Sequence, residues 1–342
     1  MAEGIIATRL EINDNLPAQV TAFKAIAANG NSPQITVSWI NPTQYFGGIL
    51  LVKKMGSAPT AINDGEQIYS GAGTSFVDNN VAFGTTYYYR AYPYNPRKQY
   101  QTMLAVTSAL PKAGTLASEL PAGSFIKLKQ DGVPTKFLVV NQGLPSYEYD
   151  ASCNGTWLLI EDIPFYDNWS TSSRRNDYAN STVHEELNTN TINKFTPTIR
   201  SQIKSIKLPY WKGTGTSGTA QYGADGLDCK LFLATSKEVG TTQIPADEFC
   251  HLGSLLDYFS EGNDTAANIK MIAKYKGKAS AWGLRDPQKG ESYGGCTIDS
   301  DGGKSSMNIA NTIGIRFALV LPSDFLLKPT PNSDGSYSPM EE

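Results

Sequence analysis

Catalysis and ligand binding need nucleophiles, acid–base groups, metal ligands or aromatic faces at usable spacings. This sequence is sparing with most of them. It has two histidines, His184 and His251, and neither sits in a zinc, triad or nucleophile-elbow motif. Cys153, Cys229, Cys250 and Cys296 stand far apart without a CxxC pair, which argues against a zinc ribbon or redox motif and for reduced, buried thiols. A glycosidase pair drawn from Glu161, Asp162, Glu185 and Glu186 stays open, because that mechanism turns on a separation which sequence spacing does not give. Asp299-Ser-Asp301-Gly302 has the start of a calcium loop without its later ligands, and its default reading is a turn. No enzyme activity, metal or cofactor is expected. Binding has more to draw on. Tyr210-Trp211 precedes a Gly/Thr stretch that ends at Tyr222, and Tyr293-Gly-Gly leads toward Asp299 and Asp301. Aromatic faces beside Asp and Asn suit sugars, whose C–H faces stack while their hydroxyls need hydrogen bonds. The same residues suit a protein partner, or loop packing without a ligand. Tyr210, Trp211, Tyr222, Tyr293, Asp299 and Asp301 are the candidate ligand-binding set.

Those residues need a frame. Residues 314–322, GIRFALVLP, alternate less than a half-buried strand does and are bounded by Gly and Pro, so they read as a strand buried on both faces. A central strand so late in the chain pairs with strands formed much earlier, closing its domain and displaying the polar loop ahead of it. In AWGLRDP, Trp282, Leu284 and Pro287 pack beneath that loop, while Arg285, boxed in by apolar neighbours, needs an acidic or carbonyl partner. Trp282, Arg285 and Arg316 are therefore framework. Upstream, residues 123–129 and 134–140 form a hairpin about Asp131-Gly132, and residues 157–161 continue the sheet. Thr182-x-x-Glu185 is a capping box for a short helix with Val183 and Leu187 on its apolar face. Thr196-Pro197 starts another, with Ile199, Ile203 and Ile206 at helical spacing. Residues 230–235 form a strand, and Thr235-x-x-Glu238 caps the turn after it.

Residues 17–111 show short β runs punctuated by turn residues, the pattern of a small sandwich. Ile35, Val37 and Trp39 fall on one side of an alternating strand, with Trp39 as core anchor. Period two sets Tyr87, Tyr89 and Ala91 against Tyr88, Arg90 and Tyr92. The ordered motifs PAQVT, ITVSW, TSFVD, GTTYYYRAYPYN and TSALP, spanning residues 16–112, resemble a fibronectin type III domain. That resemblance puts Tyr87 in the place of the corner tyrosine, its hydroxyl bonded to nearby backbone, and implies presentation rather than chemistry. Tyr92, Tyr94 and Tyr100 form an exposed aromatic group, packed on an edge strand or open to a partner.

Residues 113–122 have linker composition, residues 1–15 form an arm ahead of the sandwich, and residues 327–342 form a loosely held tail. Between them, the order GTWLL, YANSTVHEELN, FTPTIRSQI, IKLPY, FLATSKEVG, AWGLRDP and GIRFALVLPS resembles the DUF6273 type of domain, with Gly283 and Asp286 where that family commonly has a second tryptophan and a serine. The succession is also similar to C-type-lectin-like folds. The expected fold is mainly β: a fibronectin type III sandwich, then an α+β domain over residues 123–326 with recognition on its loops. A net charge of -3 offers no support for a nucleic-acid partner. No apolar run is long enough for a membrane span, and the N-terminus has no secretion signal. The tandem looks like a virion surface protein of a phage, made in the bacterial cytoplasm: a tail, baseplate or capsid-decoration component, oligomeric within its assembly. Its partners would be other virion proteins and a host cell-surface glycan or protein. An adhesin-like binding module and a carbohydrate-active enzyme with an accessory sandwich are the alternatives.

Overall fold

The computed structural model describes residues 15–28, 30, 32–102, 105–171, 175–240, 248–260 and 265–341. The expected arm at residues 1–15 falls almost wholly outside them. The chain divides into two compact units, Met1–Gly114 and Thr115–Glu342. Both are mainly β, and helices are few and short.

In the first unit, strands Thr21–Ala28, Gln34–Ile40 and Ser75–Asp78 form one sheet, and Glu66–Gly71, Gly48–Met55, Tyr87–Tyr94 and Val106–Ala109 form another. Alternation decides which side chains meet between them. Ile35, Val37 and Trp39 pack with Tyr87, Tyr89 and Ala91 in one core, with Trp39 at 3% exposure. The Tyr87 hydroxyl accepts the Ala82 N–H at 3.0 Å. Here one expectation is corrected. Tyr92 and Tyr94 are buried and join Leu50 and Val52 in a second cluster on the outer face, with Tyr100 packed edge-on to Tyr94. Long aromatic side chains there cover an apolar stripe that would otherwise face water.

The second unit is built on a five-stranded antiparallel sheet ordered Leu231–Leu233, Phe317–Leu321, Gly155–Ile160, Val133–Gly143 and Phe125–Gln130. Asp131 and Gly132 both take positive φ in its hairpin turn, as a two-residue turn of this hand requires. The sheet is covered on both faces. Phe317, Leu319 and Leu321 point into one core with Phe137, Leu158 and Ile160. Ala318 and Val320 point into the other with Leu138, Trp157 and Leu159. A strand sandwiched this way has no polar side, which is why its sequence does not alternate.

The apolar run serves two sheets. It breaks at Arg316, and its first half, Thr312–Ile315, joins a second sheet ordered Phe165–Asn168, Thr312–Ile315, Trp282–Pro287, Gly294–Ile298 and Lys304–Asn308. Arg316 is buried at this crossing, donates from Nε to Ile160 O at 3.0 Å and lies over the Trp282 ring. Burial lowers its guanidinium pKa to about 10. The stretch expected as a polar loop before the last strand is instead largely the Gly294–Ile298 and Lys304–Asn308 hairpin.

The Thr182–Thr189 helix packs Val183 and Leu187 on the first core, but its cap is Ser181, whose Oγ accepts the His184 N–H. Helix Pro197–Gln202 begins at Thr196 as expected and stops early, so Ile206 belongs to a strand. The linker and the tail depart from the sequence reading. Thr115–Leu116 pairs with Leu326–Leu327, and Ala117 and Leu120 are buried. Tyr337 exchanges backbone hydrogen bonds with Phe125 and Lys127, and Asp334 bridges Lys127 and Lys136. Polar composition disguised a segment that is paired through its backbone.

Candidate functional site

The site is built outward from a buried ion pair. The strand Trp282–Pro287 carries Arg285 into the interior, where Nη1 and Nη2 donate to the two Glu238 carboxylate oxygens at 2.7 and 2.6 Å. Glu238 is held in turn. Its Oε2 accepts the Thr235 N–H, its own N–H donates to Thr235 Oγ1, and its Oε1 accepts the Tyr149 hydroxyl at 2.8 Å. This is the reciprocal cap expected from Thr235-x-x-Glu238, turned to a second use. Arg285 also donates to Leu233 O at 2.6 Å and, more weakly, to Pro209 O at 3.4 Å. One guanidinium thus ties the Leu231–Leu233 strand to the segment that delivers Tyr210, fully desolvated and fully charged.

Asp286 comes next and is buried, at 1% exposure. Its Oδ2 accepts the Ser236 N–H, and Ser236 Oγ is hydrogen-bonded to His251 Nδ1. Its Oδ1 is buried with no hydrogen-bond partner. Burial pushes the carboxyl up to about 7, against the pull of the Ser236 N–H and of Arg285.

Tyr210 and Trp211 lie on the strand Tyr210–Lys212, paired with Thr219–Gln221. Trp211 Nε1 donates to Thr214 O at 3.0 Å, which pins the ring against its own turn. Gly218 permits this, since a Cβ there would stand 2.2 Å from Trp211 Nε1. Asn176 fixes the turn to the neighbouring loop: its buried side chain accepts the Gly215 N–H and donates to Gly294 O at 2.7 Å and Glu291 O at 3.1 Å. Both rings are half-buried and stand over a small cavity, about 10 Å³, whose wall also includes Thr235, Cys250, Leu252, Arg285 and Asp286.

The candidate residues fall into two places. Tyr210, Trp211 and the loop carrying Tyr293 are gathered through Asn176; Tyr293 is 46% exposed, and Glu291 raises its hydroxyl pKa. Tyr222 flanks them, one residue past Gln221, the partner of Tyr210; burial, then the charges of Glu148 and Tyr147, raises its hydroxyl pKa. Asp299 and Asp301 are elsewhere. They form the turn at the opposite end of Gly294–Ile298 from Tyr293, about 20 Å away at the rise of a strand, where Asp301 Oδ1 accepts the Gly303 N–H. Trp282, Arg285 and Arg316 are buried, and so are Trp39 and Tyr87 in the first unit.

The acids weighed as a glycosidase pair have local engagements: Glu186 accepts from Asn190 and Thr191, and Asp162 from the Lys274 N–H. Among the described residues no group of three or more His, Cys, Asp or Glu is placed to hold a metal. The first unit has a larger cleft, beside Lys53, Glu66, Asn80 and Tyr87. Lys53 is already taken by Asp78, Glu66 and Asn80 O.

Sequence reasoning passed over Asn176, Ser236 and Tyr147, the last 92% exposed, and set His251 aside for want of a motif. Asp286 carried a signal, as one of the two residues, with Gly283, at which AWGLRDP leaves the pattern of the family it resembles. Comparison with known proteins bears on the same unit. The family model described as Domain of unknown function (DUF6273) matches residues 154–323, a span that holds all six candidate ligand residues. No curated protein matches the chain.

Proposed function

We propose that the protein is a structural protein of a phage particle, a tail, baseplate or capsid-decoration component. In this reading its second unit is exposed for attachment to a host-surface glycan or protein. The observation that carries it is the gathering of Tyr210, Trp211 and the Tyr293 loop by Asn176 over the buried Arg285–Glu238 pair. A rigid base beneath half-exposed aromatic faces suits sugar stacking, where preorganisation limits the entropy lost on binding.

The first unit fits a spacer. Its sheets of three and four strands, and the Tyr87 hydroxyl bonded to Ala82 N–H, support the fibronectin type III resemblance. The two-sheet architecture of the second unit, with its short helices and its DUF6273 match, is compatible with a C-type-lectin-like α+β domain. Within the particle the protein would be oligomeric and bound to other virion proteins.

Two measurements test this. Electron microscopy of the particle that carries the protein should find the second unit projecting with its Trp211 face free; burial of that face between subunits sinks the reading. Binding of the full chain to bacterial cells or to a glycan array should weaken about ten-fold or more in Trp211→Ala, in line with the loss of one aromatic stacking platform. Unchanged binding would remove Trp211 from the site.

A further inference from the structure

Asp286 has more charge than its partners neutralise. Arg285 and Glu238 satisfy each other, both buried, leaving no net charge between them. Asp286 beside them has one oxygen on the Ser236 N–H and the other on nothing, yet it borders a cavity. An ionised carboxylate in that position requires a counter-charge or a proton.

The cavity says which counter-charge fits. It has room for about one water-sized group. Trimethylated ammonium is too large, whereas a primary ammonium is close to water in size. Acceptors are at hand: Asp286 Oδ1 is unpartnered, and Thr235 Oγ1, which donates to Leu252 O and accepts the Glu238 N–H, keeps one lone pair free. At the mouth, Tyr210 and Trp211 supply ring faces that attract cations and stack on the carbon skeleton behind them.

We propose that the cavity beneath the Tyr210–Trp211 hairpin binds a protonated primary amine, with the Asp286 carboxylate as its counter-ion and the two rings as its collar. The ligand class is an amine-bearing glycan, a sugar with a free amino group rather than an acetylated one. The inference deepens the attachment reading and rests on it for the sugar, though not for the amine.

The test uses the full chain, with the Trp211 indole signal followed by NMR during titration with four probes: methylammonium, glucosamine, N-acetylglucosamine and tetramethylammonium. Methylammonium and glucosamine should shift the signal and the other two should not. Asp286→Asn should weaken amine binding at least ten-fold. Because Asp286 also holds the Ser236 backbone, the wild-type protein supplies an independent check: amine affinity should fall as the solution is acidified and the carboxylate is lost. Equal response to glucosamine and N-acetylglucosamine, no response to any amine, or an unchanged affinity in folded Asp286→Asn overturns the proposal. The two readings fail separately. Neutral glycans binding at Trp211 while amines do not would end the amine inference and leave attachment standing. Amine binding by a protein that attaches to no cell or glycan would do the reverse.

Discussion

Arg285 and Glu238 meet in a two-pronged ion pair, 2.6 and 2.7 Å, with both side chains out of water. Glu238 also accepts from Tyr149 and Thr235, so one carboxylate joins three chain segments, those of Tyr149, Thr235–Glu238 and Arg285. Removing either partner strands the other charge in a medium that cannot solvate it. Glu238→Gln should cost about 3–5 kcal/mol, lowering the Tm of the second unit by about 10 °C. Calorimetry of the full chain checks this; a shift within a degree or two would mean water reaches the pair.

In the first unit, Tyr87→Phe keeps the ring in the core and deletes only the hydroxyl that accepts the Ala82 N–H. A loss of about 0.5–1.5 kcal/mol is expected in denaturant titration. No loss would show that the bond merely replaces one to water.

Asp286 makes stability depend on pH in an unusual direction. Its carboxyl rises from an ordinary 3.8 to about 7 on folding, so the folded state holds the proton more tightly than the unfolded chain. The stabilisation is fully present below about pH 4 and is lost as pH rises through 7. Around it, the Ser236 N–H and Arg285 pull the carboxyl down and Glu238 pushes it up; the Cys250 and Cys296 thiols, themselves raised by burial, feel its charge, and His251 lies one hydrogen bond beyond. Denaturation curves at pH 4 to 8 should show the wild-type protein losing stability relative to Asp286→Asn as the pH increases. Parallel curves would place the carboxyl in contact with water.

The C-terminal segment should matter to the fold. Deleting residues 328–342 removes the Tyr337 backbone pairing to Phe125 and Lys127 and the Asp334 bridge to Lys127 and Lys136. The second unit should melt several degrees earlier while the transition of the first stays in place. An unmoved second transition would mean the segment rides on the sheet without supporting it.

Much of this was legible beforehand, for identifiable reasons. Periodicity found the sandwich core around Trp39, Tyr87 and Tyr89, and the missing periodicity of residues 314–322 correctly implied burial on two faces. Arg285 betrayed an unseen partner because a cation among apolar neighbours must have one. Three things were hidden. The change of sheet at Arg316 leaves no mark in hydropathy, since both halves of the run are apolar. The order around residues 327–341 comes from backbone pairing, which composition does not encode. Asp299 and Asp301 looked close to Tyr293 in sequence, but a strand turns closeness along the chain into distance, whereas Asn176 joins loops that the sequence keeps far apart.

The double allegiance of residues 312–321 also decides when the second unit acquires its structure. Among the described residues, Leu231–Leu233 pairs into its sheet only through Phe317–Leu321, and Phe165–Asn168 into the other only through Thr312–Ile315. A chain growing on the ribosome has nothing to pair these strands with until residues 312–321 emerge. The unit therefore folds all together once that stretch is made, a nonlocal closure that is slow by nature. Chains cut short before that point leave bare strand edges for chaperones and proteases to find.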